Sequence, residues 1–187
     1  MAAGIEVHPV TPDRWDDLER LFGPRGAFQG CWCMFFRRRR KDFDKATSAE
    51  NKAGLKAIVD AGEPPGLLAY VDGEPAAWVS LDLRDNLPLL VHSTTKWPIY
   101  YTPVWSIVCF VVGKDYRRQG LMSRLIEAAV GYVRSRGGRT VEAYPVEPEG
   151  PLSGDRGYQG VASAFLRAGF REAGRTGKGR PIVRRDV

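Results

Sequence analysis

Sulfur and imidazole are scarce in this chain, which has three cysteines, three methionines and two histidines in 187 residues. Cys31, Cys33 and Cys109 cannot all pair within one chain, which excludes a closed disulfide framework and fits a reducing cytoplasm. Cys31 and Cys33 have no second close pair, and only His8 and His92 could complete a site, so no metal is expected. Long apolar runs are also missing. The longest, around Val104 to Val112, is far too short to cross a bilayer. Met1 to Val10 lacks the basic start and apolar core of a signal peptide, so no membrane partner is expected.

Positive charge is in excess, with 28 Lys and Arg against 22 Asp and Glu and a net charge of +6. A soluble arginine-rich surface explains this best, a polyanionic small molecule next, and nucleic acid last. The cations cluster at Arg37 to Lys41, where no aromatic residue interleaves them as a single-stranded nucleic-acid platform requires. A solvated face is the expectation there.

The length suits one domain over residues 1–187. Ile5 to Val10 reads as a strand, and Thr11-Pro12-Asp13 as the start of a helix to about Phe22 with Trp15, Leu18, Leu21 and Phe22 inward. Gly23-Pro24-Arg25-Gly26 breaks that helix. Next comes Cys31-Trp32-Cys33-Met34-Phe35-Phe36, which reads either as core or as the wall of an apolar pocket formed by Trp32, Met34 and Phe35. Ser48 is expected to cap a helix through Ala61. Asp72-Gly73 between two strands is a hairpin signal. The polar connection Arg84 to Thr102, with an exposed His92, and the loop Pro145 to Gly160 are expected to border a site or simply to cross the surface.

The chain is organised around Trp105 to Tyr144, a buried strand, a basic turn, an amphipathic helix and a second strand, which make one βαβ crossover. Leu121, Met122, Leu125, Ile126, Ala129, Tyr132 and Val133 recur at helical spacing, and Gly137-Gly138 ends the helix. Lys114, Arg117, Arg118 and Gln119 surround the first helical turn, whose unpaired N–H groups favour an anion, and Gly120 lets the backbone approach it. The glycines of a dinucleotide fingerprint and the Gly-Lys-Ser/Thr ending of a P-loop are absent. A pyrophosphate is the best guest.

Tyr116-Arg117-Arg118-Gln119-Gly120-Leu121-Met122, placed between strand and helix, resembles motif A of the GNAT N-acetyltransferases, with Met122 where Gly or Ala is usual. Gln159-x-x-Ala162-x-x-Phe165-Leu166-x-x-Gly169-Phe170 resembles their motif B, with Leu166 in place of a tyrosine that often serves as general acid. The resemblance implies an α+β fold, with a mixed, mostly antiparallel central sheet flanked by helices and the crossover binding acyl-CoA. It implies acetyl-CoA as co-substrate. The edge of Phe110, Val111 and Val112 would pair with pantetheine, Arg117 to Met122 and Ser123 would hold the pyrophosphate, and Gln159 would lie near the CoA arm. It further implies acetyl transfer to a primary amine, on a small molecule or peptide, by direct attack in a ternary complex. A homodimer is compatible with this.

Strand alternation puts Glu142 and Tyr144 on one face, beside the expected thioester cleft. Glu142 is the candidate proton relay, and Tyr144 or Tyr158 the candidate acid toward sulfur. The competing reading is an exposed acid and two packing tyrosines. A non-catalytic acyl-CoA-binding regulatory module is the main alternative function, favoured by Met122 and Leu166, and an RNA-binding protein using Arg37 to Arg40 is a third.

Overall fold

The computed structural model describes residues 4–93, 103–150 and 157–187. Its strands are β1 (Ile5–Pro9), β2 (Gly66–Val71), β3 (Glu74–Leu83), β4 (Trp105–Val112), β5 (Thr140–Ala143), β6 (Arg171–Arg175) and β7 (Pro181–Asp186). The helices are α1 (Trp15–Phe22), α2 (Arg40–Phe43), α3 (Ser48–Asp60), α4 (Pro88–Val91), α5 (Leu121–Ser135) and α6 (Ala162–Arg167). The strands form one sheet in the order β1-β2-β3-β4-β5-β7-β6. Only β4 and β5 run parallel, as a crossover through α5 requires, and the other neighbours are antiparallel. This is the mixed, mostly antiparallel sheet expected above.

Local chemistry accounts for the turns and caps. Asp72 and Gly73 both have positive φ, 49° and 83°, the geometry of a two-residue turn that matches the twist of a hairpin. The cap of α3 is Thr47 rather than Ser48. Thr47 and Glu50 form a reciprocal capping box, while the Ser48 hydroxyl accepts from Trp32 Nε1 at 3.1 Å. Thr11-Pro12 opens a short 3-10 turn ahead of α1, and Arg14 Nη1 donates to the Thr11 hydroxyl at 2.9 Å.

Alternation along β2 and β3 sends their side chains to two cores. Leu67, Ala69, Ala77, Val79 and Leu81 pack with Leu121, Leu125, Ile126 and Ala129 of α5. Leu68 and Trp78 turn the other way, onto Trp15, Leu18 and Phe22 of α1 and Leu55 and Val59 of α3. Trp32 and Met34 are buried in this second core, with Trp32 stacked on Trp15 at 6.2 Å between ring centroids. They are therefore core residues and line neither hollow beside β4, although Trp32 also borders the hollow over α1 and α3.

One irregularity shapes the site. Opposite the step from Ser80 to Leu81, β4 steps from Cys109 to Ile107, so Val108 is a bulged residue. A bulge bends its strand and re-aims its side chains. Accordingly β4 pairs with β5 only at Trp105, Ser106 and Ile107, and from Val108 onward the two strands share no ladder.

Candidate active site

The opening beside β4 holds two hollows. The larger, about 910 Å³, runs from the end of β4 over the turn Gly113 to Gly120 to the start of α5. The smaller, about 370 Å³, lies on the bulge, with Val108, Cys109 and Val111 in its wall. Phe28 and Tyr158 line both, their rings 5.5 Å apart, and so form the partition between them. A third hollow over α1 and α3 holds Asp16, Glu19, Arg20 and Lys52, and its Glu19 and Lys52 are already paired with each other.

In the larger hollow, Gly120 precedes α5 with φ of 78°, and a Cβ there would meet no protein atom within 4 Å. The conformation calls for glycine, and the open space beside it leaves room for a guest. Arg118 also has positive φ, 63°, so the turn places two left-handed residues just before the helix and gathers backbone N–H groups. No side chain caps α5 and no acid stands in its first turn. Lys114, Arg117 and Arg118 are exposed around this uncapped end. Together these groups favour a polyanion.

Of the expected cofactor contacts, Phe110, Val111, Val112, Arg117, Arg118, Gly120, Leu121 and Met122 line the larger hollow. Gln119 instead folds back, its amide donating to the Asp115 carbonyl at 2.9 Å. Ser123 is exposed on the helix and is not in the wall, and Gln159 lines the smaller hollow. The strand edge is partly occupied, because the Phe110 N–H donates to the Tyr158 carbonyl at 2.6 Å. Strand alternation turns the Phe110 carbonyl and the Val112 N–H to that same open side. The Phe110 ring is core, and the Val111 side chain helps wall both hollows.

Glu142 and Tyr144 lie elsewhere than the expected cleft. Both are buried, neither lines either hollow, and they bond to each other. Arg84 Nη1 donates to Glu142 Oε1 at 2.9 Å and also to the Tyr144 hydroxyl, while Arg184 Nε donates to Glu142 Oε2 at 2.6 Å. Both carboxylate oxygens are thus engaged, and burial pushes the Tyr144 hydroxyl far up. The network stitches the end of β3 to β5 and β7, and its Tyr144 packs with Phe36 and Val108 of the smaller hollow's wall. Arg84 was not foreseen as buried, since its sequence context reads as the start of a polar loop.

Tyr158 is the candidate acid that reaches the opening. Burial raises its pKa, and the nearby Cys109 thiol adds to the effect, so it stays protonated at neutral pH. Cys33 and Cys109 are 3.7 Å apart, and Cys33 accepts from Trp78 Nε1 at 3.1 Å. Among the described residues no group of three or more His, Cys, Asp or Glu is arranged to hold a metal. Leu166 is 51% exposed and lines neither hollow, so the usual motif-B acid position points to solvent here. α6 runs from Ala162 to Arg167, and Gly169, with φ of 80°, turns the chain just beyond it. Residues 94–102 of the long connection and 151–156 of the glycine-rich loop lie outside the described residues. His92 is exposed.

The chain belongs to the Acetyltransferase (GNAT) family, whose model matches residues 28–150. No curated protein matches it. Among solved structures, a PaiA N-acetyltransferase from Thermoplasma acidophilum, in complex with coenzyme A, is 12% identical at a TM-score of 0.55 and covers 98% of this chain and 99% of that one. An aminoglycoside N-acetyltransferase in complex with CoA is 16% identical at 0.53, covering 80% and 81%. A GCN5-related N-acetyltransferase from Kribbella flavida is 17% identical at 0.52, and there the chain covers 92% of itself but 34% of that protein. These likenesses establish the fold. Among the described residues no helix is long and apolar enough to cross a membrane.

Proposed function

We propose that the protein, acting as one domain, transfers an acetyl group from acetyl-CoA to a primary amine by direct attack in a ternary complex. The observation that carries this is the pair of hollows meeting at Tyr158, one with an uncapped cationic helix start and the other apolar. The larger hollow fits CoA by its chemistry. The turn at Arg118 and Gly120 and the first N–H groups of α5 would hold the pyrophosphate, with Lys114, Arg117 and Arg118 adding charge. The Phe110 carbonyl and the Val112 N–H would hold the pantetheine arm as an added strand does.

Acetyl-CoA supplies an activated acyl carbon. The chain's part is to hold the amine in the smaller hollow against that carbon, so that a C–N bond forms as the C–S bond breaks. The amine loses one proton to water, and the departing sulfur takes one from the Tyr158 hydroxyl, which later regains a proton from solvent. Glu142 serves here as a buried structural anion with no step of its own. Thiol release from acetyl-CoA, measured with and without an amine panel and followed by mass spectrometry of the products, tests the reading. CoA binding without any amine-dependent thiol release would favour a non-catalytic acyl-CoA-binding module instead.

The cationic run does not support an RNA reading. The Arg37 side chain is only 4% exposed, bonding Asp82 at 2.6 Å and the Pro65 carbonyl at 2.8 Å, so one of the run's five charges is spent on the fold.

A further inference from the structure

The smaller hollow carries information about the acceptor. Four phenylalanines, Phe28, Phe35, Phe36 and Phe43, stand in its wall with Tyr158, and the remainder is aliphatic, thiol or amide apart from Arg40. Among the described residues no Asp or Glu lines it. Arg40, the one charged wall residue among those described, lies 5.5 Å over the Phe35 ring, with its Nε on Asp44 at 2.9 Å.

Amines that carry several positive charges need carboxylates to replace the water they lose, and the described wall offers none. A single ammonium gains from ring faces, but the face of Phe35 is already taken by Arg40, whose charge also repels a second cation. Apolar surroundings favour the neutral form of an amine, which is the nucleophilic form. Such a hollow therefore delivers an attacking nitrogen without a carboxylate base beside it, consistent with Glu142 being tied up by Arg84 and Arg184. A volume of about 370 Å³ suits one ring with a short side chain.

We infer that the acceptor is a monoamine on an aromatic or bulky apolar body, and that polyamines and aminoglycosides are excluded. This rests on the acetyl-transfer reading given above.

The experiment compares 2-phenylethylamine, spermidine and kanamycin as acceptors, by thiol release from acetyl-CoA and product mass, for wild type and for Arg40→Glu. Calorimetry with CoA runs alongside. For wild type, kcat/KM with 2-phenylethylamine should exceed that with spermidine by about a hundredfold or more. Arg40→Glu, a change at an exposed side chain, should raise spermidine use about tenfold and leave CoA affinity unchanged. If spermidine or kanamycin is used as well as 2-phenylethylamine, and Arg40→Glu does nothing to that preference, the acceptor class is overturned while acetyl transfer stands. If CoA binds and none of the three amines is acetylated, the acetyl-transfer reading falls and the acceptor class falls with it.

Discussion

The rings of Phe28 and Tyr158 stand 5.5 Å apart and tilted by 46°, and among the described residues these two side chains, with Ala27, Gln29 and Val111, line both hollows. Phe28 comes from the segment after α1, and Tyr158 from the loop before α6. Two segments 130 residues apart in sequence thus define where donor and acceptor would meet.

Tyr158→Phe keeps that partition and removes the proton. Turnover should fall by about 10²- to 10⁴-fold, the range of general acid catalysis, while CoA affinity stays within about twofold. Unchanged kcat would remove Tyr158 from the mechanism. The pH dependence follows from the direction of its shift. Burial favours the neutral phenol, so the proton is lost only above the ordinary tyrosine value near 10. The rate should therefore rise with pH as the acceptor amine deprotonates, with no fall below pH 10 due to Tyr158.

Glu142→Ala should act on stability. It removes the buried carboxylate that both Arg84 and Arg184 bond, and breaking a buried pair in this way costs about 3–5 kcal/mol. Thermal unfolding should shift down by roughly 10 °C or more for a chain of this size. The milder Glu142→Gln, which keeps the shape, should lose less. A Gln variant with wild-type melting but abolished turnover would restore Glu142 as a proton relay.

The thiols should be slow at neutral pH. Burial and neighbouring thiols raise both Cys31 and Cys33, so the thiolate fraction is small below pH 9 and grows only above it. Mass spectrometry after iodoacetamide treatment of the folded protein at pH 7 should find Cys31 and Cys33 largely unmodified. Prolonged chelation should leave melting temperature and turnover as they were. Zinc released in step with unfolding would contradict this.

The crossover and the hairpin were legible because each carries its signal locally. Asp72-Gly73 needs only its own φ angles, and the α5 stripe needs only helical period. The cofactor turn was legible for the same reason, since Gly120 and its cations are contiguous. What escaped was set by long-range packing. Glu142 and Tyr144 alternate correctly on one face, but that face meets Arg84, 58 residues earlier, and Arg184, 42 residues later. Nothing near Arg84 in sequence marks it as buried. The aromatic run after Cys31 was ambiguous because its members divide by a backbone conformation that the residue types do not announce. Positive φ at Trp32 and Cys33 sends Trp32 into the core and leaves Phe35 and Phe36 at the hollow. The bulge at Val108, which opens the site, has no glycine or proline to announce it.

The most direct measurement is calorimetry of CoA on wild type, Gly120→Ala and Gly120→Glu. Alanine at φ of 78° brings backbone strain of about 1–2 kcal/mol without charge, and so reports the conformational part. Glutamate adds a carboxylate where the pyrophosphate would sit, and should weaken CoA by at least about 2 kcal/mol, more than thirtyfold, beyond the alanine variant. The account predicts CoA binding by wild type and that additional loss in the glutamate variant while both variants remain folded. Equal affinities for the two variants, or no CoA binding by wild type, would contradict it.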